Sequence, residues 1–145
     1  MATERLEDFW AKKGKLPLNI FMIRDGVSES QYGMVKEEEY PQIKRAYMIV
    51  ATRHKLPATT PVKIVLLVVG KRHHTRFYRT GDKSPFNFNA GLVVDSVVVE
   101  PHMSSFYLQS HASPLGTARS GHYVVICNEN HYTLPELQSI VSAQI

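Results

Sequence analysis

Three groups of residues in this sequence have the types and spacing to do chemistry. The first is a single carboxylate. Ile20-Phe21-Met22-Ile23 runs into Arg24-Asp25-Gly26 and then Val27-Ser28-Glu29, which reads as a fully buried strand, a tight turn and the start of a helix. This pattern delivers Asp25 to the carboxyl end of a central strand, where open α/β sheets bind ligands and do chemistry. A carboxylate there could hold Mg²⁺, which keeps several waters and takes one or two protein carboxylates beside substrate phosphates. Two-metal phosphodiester cleavage needs further carboxylates. Only Asp95 and Glu29 lie near by sequence, and neither has the setting of a buried strand-end ligand. On spacing alone, Asp25 as a turn residue is the safer reading.

The second group is Lys71-Arg72-His73-His74-Thr75-Arg76, three permanent cations and two imidazoles on six residues at a strand exit. A phosphate backbone is held by several donors on a rigid element, with salt-dependent and sequence-independent affinity. A merely solvated strand exit has the same composition. His73 and His74 do not suit a shared metal, because neighbours on an extended chain point to opposite sides. The third group is Ser110-His111-Ala112-Ser113-Pro114-Leu115-Gly116-Thr117-Ala118-Arg119-Ser120-Gly121-His122. Gly116-Thr117 permits close backbone approach and supplies a hydroxyl, and His111, Arg119 and His122 add donors, which together make an anion cradle. Ser110-His111 is poor evidence for nucleophilic catalysis, since adjacent residues are not expected to form a base–nucleophile pair and no orienting acid is evident. His122 heads a β run and reads as a hydrogen-bonded histidine at the edge of the core.

The elements that must position these groups follow from periodicity. Leu6, Phe9 and Trp10 put an amphipathic helix over residues 2–13, ended by Gly14. Ser28 is a fair N-cap, and Val35, Ile43, Tyr47 and Val50 carry a helical stripe to about Thr52, with a kink or break expected near Glu39-Tyr40 because Pro41 starts a second segment. Pro57 to Pro61 reads as a turn, and Val62 to Val69 as a central strand buried on both faces. Gly81 to Asn89 reads as a loop. Val93 to Glu100, Ser105 to Ser110 and His122 to Cys127 read as β runs, and a helix starts around Pro135 with Thr133 as its cap. Helix then strand twice over argues for an α/β fold with helical crossovers.

At 145 residues and 43% hydrophobic, the chain has the size of one domain or part of one. Its 17 Lys and Arg against 13 Asp and Glu give a charge of +4, which suits a polyanionic partner without demanding one. The lone Cys127, in an apolar run, fits a reducing compartment, and the longest apolar run is too short to cross a bilayer. A cytoplasmic or nuclear protein without a membrane partner is expected. The final helix runs to the last residue without a stop signal, and from this a truncated chain is expected.

Taken together, several segments resemble the PIWI domain of Argonaute proteins, most closely the eukaryotic kind. The carriers are residues 23–32 (Ile-Arg-Asp-Gly-Val-Ser-Glu-Ser-Gln-Tyr), 71–76, 91–95 (Gly-Leu-Val-Val-Asp), 106–112 (Phe-Tyr-Leu-Gln-Ser-His-Ala), Gly116-Thr117-Ala118-Arg119, His122-Tyr123 and 134–138 (Leu-Pro-Glu-Leu-Gln), in the family's order and spacing. Ser113 stands where a glycine is usual, Ser105 where an aspartate is usual, and Ser120-Gly121 in place of a Pro-Ser or similar pair. The resemblance implies a ribonuclease H-like fold, a mixed sheet flanked by helices, present here in part. It implies binding of a small guide RNA paired to a complementary target RNA and, in active members, Mg²⁺-dependent endonucleolytic cleavage of the target in RNA silencing.

Carried over residue by residue, Asp25 corresponds to the family's second catalytic, metal-binding aspartate. Lys71, Arg72, His74, Arg76, His111, Thr117 and Arg119 correspond to contacts with the guide backbone. An A-form duplex is gripped in this way, through phosphates and 2′-hydroxyls. The family's first aspartate and its glutamate fall before Met1 and its catalytic histidine after Ile145. Residues 1–145 are therefore expected to be a partial PIWI domain, without its first part and its final segment, that needs the rest of an Argonaute chain to cleave. A non-cleaving Argonaute and a self-contained ribonuclease H-like binding protein are the alternatives.

Overall fold

The computed structural model describes residues 1–57, 62–80, 86–113 and 116–144. The expected turn at Pro57 to Pro61 and the first half of the expected loop at Gly81 to Asn89 fall largely outside these. Helix α1 spans Ala2–Lys13, β1 Asn19–Asp25, α2 Tyr32–Met34, α3 Tyr40–Arg53, β2 Lys63–Gly70, β3 Tyr78–Arg79, β4 Phe86–Asn87, β5 Val93–Val94, β6 Ser105–Leu108, β7 Gly121–Asn128 and α4 Leu134–Gln144. Five strands form a sheet in the order β1-β2-β7-β6-β5, and β3 and β4 form a separate hairpin. No helix among the described residues is long and apolar enough to cross a membrane.

The chain divides into two compact units, one of Met1–Met22, Ser28–Leu66 and Ile126–Asn130, the other of Ile23–Val27, Leu67–Val125 and His131–Ile145. In the first, α1 packs on α3. The stripe read from the sequence is the buried one: Leu6 and Leu16 close on Ala46, Tyr47, Val50, Ala51 and Val62, with Trp10, Ile20 and Leu56 at the margin. Gly14 ends α1 in the left-handed conformation, φ 65°, and its N–H returns to the Trp10 carbonyl. Glu129 ties this unit together. Its carboxylate accepts from the Tyr40 hydroxyl, from Lys44 Nζ at 2.7 Å and from the Ile64 N–H at 2.7 Å. Burial pushes Glu129 up, but these hydrogen bonds outweigh it and hold the carboxyl below its ordinary value.

In the second unit, α4 packs on β6 and buries Leu137 and Val141. The β5–β6–β7 ladder is antiparallel, with Val93 opposite Leu108, Val94 opposite Tyr107, Tyr107 opposite His122 and Phe106 opposite Tyr123. Alternation therefore puts Phe106 and Tyr123 on one face, stacked at 5.2 Å, and Tyr107 and His122 on the other, stacked at 4.4 Å.

Three expectations are corrected and one holds. β1 is an edge strand whose side chains are half-buried or exposed, so it is neither central nor fully buried. At Glu39-Tyr40 a second helical segment begins as expected, with Pro41 in its first turn: a π-helical turn over Val35–Glu39 inserts an extra residue, and the Tyr40 N–H bonds the Val35 carbonyl just before Pro41, which has no N–H of its own. The run Val93 to Glu100 is a strand only at Val93–Val94. With Val93 opposite Leu108, the short β6 ends opposite position 96, so Val97 to Glu100 have no partner strand. Val97 instead turns at φ 67°, with the Val98 N–H on the Ser96 carbonyl at 2.7 Å. Finally, Phe86–Asn87, read as loop, pairs with Tyr78–Arg79.

Candidate nucleic-acid interface

The buried strand β2, with six consecutive residues from Ile64 to Val69 out of solvent, ends at Gly70 and releases Lys71 to Arg76. The side chains alternate as an extended chain requires: Arg72 and His74 face solvent and His73 turns inward. His73 Nε2 lies 2.6 Å from the Ser120 carbonyl. A carbonyl only accepts, so Nε2 carries a proton, and Nδ1 is buried without a hydrogen-bond partner among the described residues. The His73 ring meets Tyr107 edge-on at 5.1 Å, and Phe77 meets the same tyrosine at 5.3 Å. Arg76 is half-buried, its Nη1 donating to the His73 and Thr75 carbonyls at 2.6 and 2.8 Å, so it braces its own segment.

Across from this segment, the chain leaving β6 is held at both ends. Gln109, only 5% exposed, donates to the His111 carbonyl at 2.7 Å and accepts from the Ser120 hydroxyl at 2.7 Å. Lys71, Gln109, Ser110, His111, Ala112, Ser113 and Arg119 line a cleft of about 290 Å³. Two permanent cations and an imidazole thus meet three side chains able to hydrogen-bond, and among the described residues no carboxylate lines the cleft. Such a wall suits an anion that presents several oxygens.

Of the residues singled out from the sequence, the cleft gathers Lys71, His111 and Arg119. Arg72, His74 and Thr117 are exposed outside its lining, as is Asp25. Ser110 and His111 are corrected: the Ser110 hydroxyl and His111 Nδ1 are 2.5 Å apart, so adjacent residues do reach one another here. No acid orients the imidazole among the described residues, so no nucleophilic role follows. His122 is a stacked rather than a hydrogen-bonded histidine at Nε2, which is buried without a partner among the described residues. Burial, then the His73 charge, pushes its pKa down, and Glu100 opposes them.

Asp25 ends β1 with Oδ1 accepting the Gly26 N–H at 2.7 Å, in a turn where Gly26 takes φ 76°. It lies close enough for its charge to reach Tyr123, whose hydroxyl is pushed up first by burial and then by this carboxylate. One carboxylate can serve as one Mg²⁺ ligand. Among the described residues no group of three His, Cys, Asp or Glu side chains could hold a metal ion. The residues present therefore do not make a two-metal site, and no cleavage step is derived from them.

With this geometry in hand, comparison with known proteins is decisive. The model of the Piwi domain family matches residues 1–143. The chain belongs to the Piwi domain family. Protein argonaute 7 of Arabidopsis thaliana is 42% identical over 141 residues, 97% of this chain and 13% of that protein. Protein argonaute 4 of the same plant is 38% identical over 95% of this chain and 14% of its own length. The chain thus spans about one seventh of these relatives. The C-terminal lobe of a budding yeast Argonaute superposes with a TM-score of 0.85 at 26% identity, over 95% of this chain and 30% of that one. Kluyveromyces polysporus Argonaute, solved with a guide RNA, gives 0.84 at 26% identity over 95% of this chain and 18% of its own. The Piwi fold is the ribonuclease H-like arrangement expected, a mixed sheet flanked by helices.

Sequence reasoning named His73 and the alternation that turns it inward, but missed two residues of this Piwi chain that brace the cleft, Gln109 and Asn87. Gln109 and Asn87 act through hydrogen bonds between segments that no local pattern encodes.

Proposed function

We propose that this Piwi chain binds a small guide RNA paired to a complementary target RNA, gripping the sugar–phosphate backbone rather than base edges. Lys71, His111 and Arg119 hold phosphate oxygens in the cleft, and Arg72, His74, Arg76 and Thr117 extend the contact along the backbone. The observation that carries this reading is the convergence of Lys71, His111 and Arg119 on one cleft that, among the described residues, no carboxylate lines. It is supported by a relative of the same fold whose structure was solved with a guide RNA. Backbone recognition of this kind is independent of sequence and weakens steeply with salt.

Asp25 is one Mg²⁺ ligand of a site whose further acidic side chains are not gathered around it among the described residues. Target cleavage in RNA silencing, in the cytoplasm or nucleus, then belongs to a longer Argonaute chain that supplies them. The isolated position of Asp25 favours binding without cleavage for residues 1–145 themselves. The test is a titration of the chain with guide-paired RNA over a range of salt, followed by incubation with Mg²⁺. Salt-sensitive binding with an intact target strand is expected. Absence of binding at low salt refutes the binding assignment, and Mg²⁺-dependent cutting by this chain refutes the incomplete site.

A further inference from the structure

One hairpin connects the two basic segments. β3 begins two residues after Arg76, and β4 pairs with it so that Tyr78 lies opposite Asn87. The Asn87 side chain reaches the segment that carries Thr117 and Arg119. Its Nδ2 donates to the Ser113 carbonyl at 3.1 Å and the Gly116 carbonyl at 2.6 Å, and its Oδ1 accepts the Ala118 N–H at 2.9 Å. Both ends of the amide are used, on backbone groups either side of Gly116, which takes φ 74°. Tyr78 adds a contact from its hydroxyl to Thr117 Oγ1 at 3.4 Å. The far end of the same segment is tied to the first basic stretch by the His73–Ser120 contact. An untethered loop would have to order these side chains on binding, at a cost in conformational entropy.

We propose that Asn87 is a positioning residue for backbone binding: its amide holds residues 116–119 so that the Thr117 hydroxyl and Arg119 guanidinium stand at the spacing from Lys71 that a sugar–phosphate chain requires. Asn87 itself makes no contact with the nucleic acid. This inference rests on the nucleic-acid reading above. A carboxamide can donate to two carbonyls and accept from an N–H at the same time. A carboxylate cannot donate, and a methyl group can do neither.

The experiment measures Kd for guide-paired RNA between about 50 and 200 mM salt, with thermal unfolding of each variant, for the wild-type chain, Asn87→Ala, Asn87→Asp and Asn87→Gln. Asn87→Ala and Asn87→Asp are expected to weaken binding by roughly three- to tenfold at the low-salt end and to flatten the salt slope by about 0.7–0.9, the value of one lost phosphate contact. Asn87→Gln keeps the amide but displaces it by one methylene and is expected to fall between, which decides the matter if Asn87→Ala does not fold. Unchanged affinity, or weakened affinity with the wild-type slope, overturns the proposal, because a purely structural residue lowers only the folded fraction. A wild-type chain that does not bind, or binds without salt dependence, overturns the nucleic-acid reading instead, and this inference with it.

Discussion

Replacing Glu129 by alanine tests how the first unit is held together. The Ile64 residue is fully buried, and its N–H has the Glu129 carboxylate as partner. Leaving a buried donor unsatisfied costs about 1–3 kcal/mol. The Tyr40 hydroxyl loses its acceptor, worth roughly 0.5–1.5 kcal/mol. Lys44, with a side chain 42% exposed, is screened by water, so the ion pair contributes only about 0.2–1 kcal/mol. Glu129→Ala should therefore lose about 2–5 kcal/mol in urea unfolding, roughly 5–15 °C in Tm at this chain length. Glu129→Gln keeps one oxygen, enough for the Ile64 N–H but not also for the Tyr40 hydroxyl, because the two donors go to different carboxylate oxygens, and should fall between alanine and wild type. The carboxyl is depressed in the folded state, so its contribution is full above the unfolded value near 4.5 and is lost as pH falls through the lower folded value. A Glu129→Ala chain within about 0.5 kcal/mol of wild type, the range of an ordinary surface change, would refute this reasoning.

Two further outcomes follow from the second unit. His122 is depressed in the folded state, so it costs stability as pH falls through its unfolded value near 6.5; Tm of the wild type should drop more steeply from pH 8 to 5 than that of His122→Phe, and parallel curves would contradict this. A Cβ at Gly121 would lie 2.9 Å from Tyr123 Cε2 and 3.3 Å from Val69 Cγ2. Gly121→Ala should cost about 1–3 kcal/mol by overpacking a ring already stacked on Phe106, measurable by urea unfolding.

What the sequence disclosed was whatever a single segment decides for itself. The apolar run in β2, the Leu6-Trp10 stripe of α1 and the Gly14 stop are local, and each stands where periodicity put it. β1 was misjudged because four apolar residues look the same at an edge as in the middle of a sheet. Val97 to Val99 read as strand because β-branched residues favour it, but a strand needs a neighbour, and the length of β6 decides how far one extends. The same limit applies to the cleft: Lys71, His111 and Arg119 announce themselves by charge, whereas Asn87 and Gln109 are neutral and act only once distant segments have met. Ser105 belongs to this class too. Its hydroxyl is buried without a hydrogen-bond partner among the described residues, and no local pattern announces that.

The central claim is that Lys71 and Arg119 hold phosphates of one bound backbone. The most direct measurement is the salt dependence of Kd for guide-paired RNA in the wild type and in the Lys71→Ala, Arg119→Ala double variant, both shown to be folded. Loss of two contacts predicts a slope of log K against log salt that is shallower by about 1.4–1.8. Equal slopes in two folded proteins would contradict the account.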